Sequence, residues 1–170
     1  VTDAHVESLA KCGTLVDVNL NATSEVGDGA VEALAVFNER TLASVALYWN
    51  VRVTDGSVVR LVQKCGGHAL RALNLSGCKR LTDATARAIG KHCVRLENLD
   101  CTRVSFSDDG VAAVSLAPRM AATLRVLTRY AAPALTSARA FRCLAALEKL
   151  TWLDLCGAQA LTDAALAEIG

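Results

Sequence analysis

From Leu70 the chain reads LRALNLSGCKRLTDATARAIGKHC, and from Leu150 it reads LTWLDLCGAQALTDAALAEIG. Both follow L-x-x-L-x-L, a short polar loop, L-T-D, and then a run with a different period. The frame also fits LVDVNLNATSEVGDGAVEALA from Leu15, LASVALYWNVRVTDGSVVRLVQKC from Leu42 and LENLDCTRVSFSDDGVAAVS from Leu96. A weaker copy, LRVLTRYAAPALTSARAFRCL, begins at Leu124. Starts at 15, 42, 70, 96, 124 and 150 lie 27, 28, 26, 28 and 26 residues apart. A fixed period of this length is the mark of a stacked-repeat architecture.

The two halves of each unit predict two elements. Leu73 and Leu75 sit two residues apart, as on one face of a strand. Leu81, Ala84, Ala88 and Ile89 recur at helical spacing. Between them lies Thr82-Asp83, repeated as Thr2-Asp3, Thr54-Asp55 and Thr162-Asp163, with Ser107-Asp108 and Gly27-Asp28 as variants. A Thr oxygen suits a helix N-cap, and Asp in the first turn suits the helix dipole. Gly13 and Gly66-Gly67 stand where helices should end. Strands that all run the same way form a parallel sheet, with each helix a right-handed crossover. Strands stack about 4.8 Å apart and helices about 8–10 Å apart, so the stack must curve with its strands inside.

The residues from Leu70 to Asp83, with Asn74-Leu75-Ser76-Gly77-Cys78, resemble the cysteine-containing leucine-rich repeats. Their pattern is L-x-x-L-x-L-x-x-C-x-x-[ILV]-[TS]-D. The resemblance implies an α/β, right-handed leucine-rich-repeat solenoid, a horseshoe arc with a parallel concave sheet and convex helices. It further implies a protein-interaction role. Such arrays occur in F-box substrate receptors of ubiquitin ligases and in related scaffold proteins. A ubiquitin-ligase adaptor would then bind through a segment not present in these residues. The chain departs from the pattern at Asn50 and Ala158, which replace the cysteine, and at Arg129, which replaces a buried leucine. With Pro133 in the following loop, two outcomes are expected there. Either the strand shifts so that Tyr130 packs, or Arg129 lies at a distorted, partly exposed point. Val1-Thr2-Asp3 matches Val53-Thr54-Asp55, and Ile169-Gly170 matches Ile89-Gly90. The expectation over residues 1–170 is therefore a single solenoid of about six repeats, truncated at both ends.

Composition narrows the function. Apolar residues make up 52% and charged residues 21%, which fits an ordered domain. A net charge of +1 and 4% aromatics give no case for nucleic acid. No apolar run is long enough for a membrane helix. The first residues show no signal-peptide pattern.

The seven cysteines are Cys12, Cys65, Cys78, Cys93, Cys101, Cys143 and Cys156. Their odd number suits reduced thiols in a cytoplasmic or nuclear protein. No C-x-x-C pair occurs, so repeat packing is preferred over a zinc or redox site. Asp3, Asp28, Asp55, Asp83, Asp108 and Asp163 recur once per repeat and read as caps, not as catalytic carboxylates. His5, His68 and His92 have no nucleophile partner motif, and no G-x-S-x-G or phosphate loop is present. The expectation is neither an enzyme nor a cofactor protein: no cofactor and no metal.

Strand alternation places positions two, four and six after each starting leucine on the concave face. Those positions are mostly small and polar. Tyr48, Tyr130 and Trp152 stand out, being residue types enriched in binding hot spots. Asn74, Asn98, Asp100 and Asp154 complete the expected partner-binding set. The alternative is a scaffold subunit of a large assembly, contacting partners through its ends or convex positions such as Arg87, Lys91, Arg139 and Arg142.

Overall fold

The computed structural model describes residues 1–130, 137–158 and 161–167. Pro133 and the helix-end match at Ile169-Gly170 lie outside the described residues. Six strands form one parallel sheet in chain order: β1 (Asp17–Asn19), β2 (Ser44–Ala46), β3 (Ala72–Asn74), β4 (Asn98–Asp100), β5 (Val126–Thr128) and β6 (Trp152–Asp154). Helices precede, separate and follow them: α1 (Asp3–Ala10), α2 (Asp28–Phe37), α3 (Asp55–Cys65), α4 (Asp83–His92), α5 (Asp108–Ser115), α6 (Pro118–Thr123), α7 (Ala138–Leu144) and α8 (Asp163–Ala167). The chain is thus an α/β leucine-rich-repeat solenoid, with its strands on the concave side and its helices on the convex side. Among the described residues, no helix is long and apolar enough to cross a membrane.

The register repeats the sequence frame. Val45 pairs with Leu73, Leu73 with Leu99, and Leu99 with Leu127. Leu42, Leu70, Leu96 and Leu124, the starting residues of four repeats, are fully buried, as are Leu47, Leu75, Leu61 and Ile89. Strand and helix of each unit therefore close on one continuous apolar layer, which no unit could bury alone.

The weak repeat keeps its register, which overturns both outcomes expected at Arg129. β5 pairs with β6 as Val126↔Trp152 and Leu127↔Leu153, and Tyr130 remains exposed. Arg129 takes the leucine position and is 1% exposed. Its backbone N–H donates to Asp154 O at 2.9 Å, as Leu75 donates to Asp100 O at 2.8 Å. Room for the long side chain comes from Cys101, which holds the same position one repeat earlier and is smaller than leucine. The guanidinium donates to Phe106 O (3.1 Å), approaches Cys101 Sγ (3.8 Å) and lies 5.8 Å from the Phe106 ring centre.

The aspartates do more than the dipole reading assigned. Asp3, Asp28, Asp55 and Asp83 each reach across to the start of the next helix. Asp28 accepts from Thr54 N–H (2.8 Å), Thr54 Oγ1 (2.7 Å) and Ser57 Oγ (2.6 Å). Asp55 does the same to Thr82 and Thr85, Asp83 to Ser107, and Asp3 to Gly27. The threonines are consequently divided. Thr82 and Ser107 cap their own helices, accepting from Ala84 N–H and Asp109 N–H at 3.2 Å each, whereas Thr54 makes no such cap. Burial opposes ionisation of Asp28 and Asp55, but the hydrogen bonds they accept prevail and hold both below the usual carboxylate pKa.

Gly66 ends α3 as expected, but in a right-handed conformation (φ −61°). Its need is space: a Cβ there would lie 2.8 Å from the His92 carbonyl oxygen of the next repeat.

Candidate functional site

The concave face carries a shallow open groove of about 170 Å³, floored by β2 to β5 and including Ala46, Ala72, Asn74, Asn98, Asp100 and Thr128. Its small side chains leave the large ones prominent. Tyr48 is 43% exposed at the exit of β2, Tyr130 is 40% exposed at the exit of β5, and Trp152 is 62% exposed on β6. β6 lies next to β5, while β2 and β5 are three strands apart, about 14 Å at normal strand spacing. Asn98 is exposed on β4.

Three of the polar candidates also have work inside the fold. Asn74 Oδ1 accepts from Ser76 N–H, Asp100 Oδ1 from Thr102 N–H and Asp154 Oδ1 from Cys156 N–H, each at 2.9 Å. These local bonds turn the chain out of the strand. Ala46 has no such oxygen, and Asn21 of the preceding repeat supplies it, accepting from Tyr48 N–H at 2.8 Å. Ser76, expected on the open face, is buried.

The turn that follows takes a left-handed residue at one fixed position: Ala22, Trp49, Gly77, Arg103 and Gly157, with φ between 54° and 76°. This conformation carries the ladder one bond further. Trp49 N–H donates to Ser76 O (2.7 Å), Gly77 N–H to Thr102 O (2.8 Å) and Arg103 N–H to Tyr130 O (3.1 Å). Glycine suits the position. Trp49 and Arg103 hold it against the preference of a bulky L-residue.

Their side chains meet. The Trp49 ring covers Gly77, where a Cβ would fall 2.2 Å from a ring carbon. Lys79 Nζ lies 5.2 Å from the Trp49 ring centre, and the Arg103 guanidinium carbon 5.7 Å. The same guanidinium lies 5.6 Å from the Tyr130 ring, and Tyr48 lies 5.8 Å from Trp49. A row of rings and cations thus runs along the strand-exit rim across four repeats. It joins Tyr48 and Tyr130, which the sequence had left apart. Trp49 and Lys79 were missed there. The available signal was the turn position at which Gly77 and Gly157 align with a tryptophan and an arginine.

The thiols divide by burial. Burial pushes Cys65 and Cys78 up to about 11, and Cys93 up to about 12 with help from Cys65. Cys78 Sγ donates to Leu47 O of the preceding repeat at 3.1 Å. Cys12 and Cys156 are exposed. Among the described residues no group of three or more His, Cys, Asp or Glu side chains is placed to hold a metal ion. On the convex side Arg87 and Lys91 are exposed, and Arg139 pairs with Asp109 at 3.3 Å.

No family model matches the chain. It is 28% identical over 104 residues to the DNA repair protein rhp7 of Schizosaccharomyces pombe, a match covering 61% of this chain and 18% of that protein. Among solved structures it is similar to a chain in the crystal structure of the yeast Rad7 and Elc1 complex. That match has a TM-score of 0.48 and 19% identity, covering all of this chain and 57% of the other. The chain therefore spans less than a fifth of the curated relative and little over half of the solved one.

Proposed function

We propose that the chain is a protein–protein interaction module without enzymatic activity, which binds a protein partner on its concave face. The observation that carries this reading is the exposure of Tyr48, Tyr130 and Trp152 on a sheet otherwise lined by small and polar side chains. Large aromatics cost little conformational entropy to immobilise and supply most of the buried apolar area at interfaces. The finer reading is a substrate receptor of a ubiquitin ligase, in which the solenoid holds the protein to be modified while another segment of the full protein binds the ligase adaptor. It rests on the resemblance of the repeats to those of F-box substrate receptors.

The test is quantitative affinity capture with the full-length protein. Tyr48→Ala and Trp152→Ala should each reduce recovery of the specific partner while leaving the melting temperature nearly unchanged. Recovery equal to that of the unsubstituted protein for both variants would sink the concave-face reading. A ligase adaptor recovered equally with all three proteins would support the receptor role, because its binding segment lies outside this surface. A stable assembly without an adaptor would refute that role.

A further inference from the structure

Arg103 and Trp49 are the two bulky residues at the left-handed turn position, and the Arg103 guanidinium reaches past the Gly77 turn to the Trp49 ring. Residues kept in such a conformation against their own preference gather at functional sites. The cost falls at the two turns that flank the Gly77 turn on one rim and brings a tryptophan, a lysine and an arginine together.

The guanidinium of Arg103 lies between the rings of Trp49 and Tyr130 and donates no hydrogen bond to the described residues. Among those residues, neither Arg103 nor Lys79 is paired with a carboxylate. Arg52 is paired with Glu25, Lys64 with Glu39 and Arg71 with Glu97, whereas Arg103 and Lys79 are among the cations of the described residues that are not. A guanidinium fixed by ring contacts, with its N–H groups unspent, is prepared to receive an oxyanion in a two-pronged geometry. The flanking rings lower the local dielectric and offer apolar contact beside that anion.

Resting on the concave-face reading above, we propose that Trp49, Lys79, Arg103 and Tyr130 form a subsite for a protein segment carrying an aspartate or glutamate next to an apolar residue. The carboxylate sits on Arg103 and Lys79, and the apolar neighbour packs on Tyr130. Charge argues for a polypeptide over a nucleic acid. Asp100 and Asp154 lie on the sheet face below this rim. They would repel the closely spaced phosphates of a polyanion, while an isolated carboxylate meets only the two cations.

The experiment is selection of a random displayed-peptide library on the full chain, followed by solution titration of the enriched peptides. The expected peptides carry Asp or Glu beside an apolar or aromatic residue, and their amide analogues bind roughly tenfold or more weakly. Arg103→Glu and Trp49→Ala should weaken binding by a similar factor. Arg103→Gly supplies the control on folding: it should lose binding while melting no lower than the unsubstituted protein, since glycine relieves the turn. Enriched peptides without acidic residues, no enrichment at all, or binding indifferent to Arg103→Glu would overturn the subsite. So would an oligothymidine that outcompetes the peptides. Peptides lost with Trp152→Ala but untouched by Arg103→Glu would refute the subsite and leave the concave-face reading standing.

Discussion

Asn50 and Cys78 hold the same position in adjacent repeats and solve the same problem. Asn50 Nδ2 donates to Leu20 O at 2.8 Å, just as Cys78 Sγ donates to Leu47 O. Asn50 Oδ1 in addition accepts from Thr23 N–H at 3.1 Å. Both side chains are fully buried. Replacing Asn50 with leucine strands these backbone groups and should cost about 2–3 kcal/mol. Asn50→Cys should retain more stability, because a thiol still donates to the carbonyl. Urea unfolding of the two variants checks the order, and a leucine variant as stable as the cysteine variant would refute it. Arg129 gives the opposite case. It is buried with its Nε unpartnered, as is Ser115 Oγ in the same small cavity. A buried charge with incomplete partners adds little net stability. Arg129→Met should change stability by no more than about 1 kcal/mol, and a loss of several kcal/mol would show that the Phe106 carbonyl contact matters more than this account allows.

The elements are joined by the aspartate ladder. The first residue of one helix bonds to the N-cap of the next, so helix order is transmitted along the stack. Because Asp28 and Asp55 have lowered folded pKa values, their contribution is present in full above the unfolded carboxylate value. It is lost as pH falls through the folded one. Melting temperature should therefore drop on acidification below about pH 4. Asp55→Asn should melt lower at neutral pH and fall less steeply in acid, and an unchanged acid slope would contradict the ladder. Six strands in register were legible in the sequence, because leucines at fixed offsets report burial directly. α6 was not: it is a short insertion between α5 and β5, and only Pro118 at its first turn marks it. The ladder was half legible. The recurrence of Thr-Asp showed a helix start, but a bond between repeats depends on the stacking distance, which no single repeat contains. The aromatic candidates were legible from alternation. The Arg103 contacts were not, because they depend on backbone turned left-handed.

At the scale of the whole molecule, each unit gains its stability from its neighbours. Leu73 packs between β2 and β4, so Leu73→Ala should cost about 2–5 kcal/mol and broaden unfolding across adjacent repeats. Hydrogen exchange by strand would detect it, and loss of protection confined to β3 would argue against coupling between units. The two faces differ in what they offer: helices with exposed single charges such as Arg87 and Lys91 on the convex side, and a groove edged by rings on the concave side. The central claim is that the partner lies in that groove. Site-specific photocrosslinking tests it most directly, with p-benzoylphenylalanine placed in the full-length protein at Trp152 or, separately, at Lys91. The account predicts a discrete adduct from position 152 and none from position 91. An adduct from position 91 with none from position 152 would place the partner on the helices and contradict it.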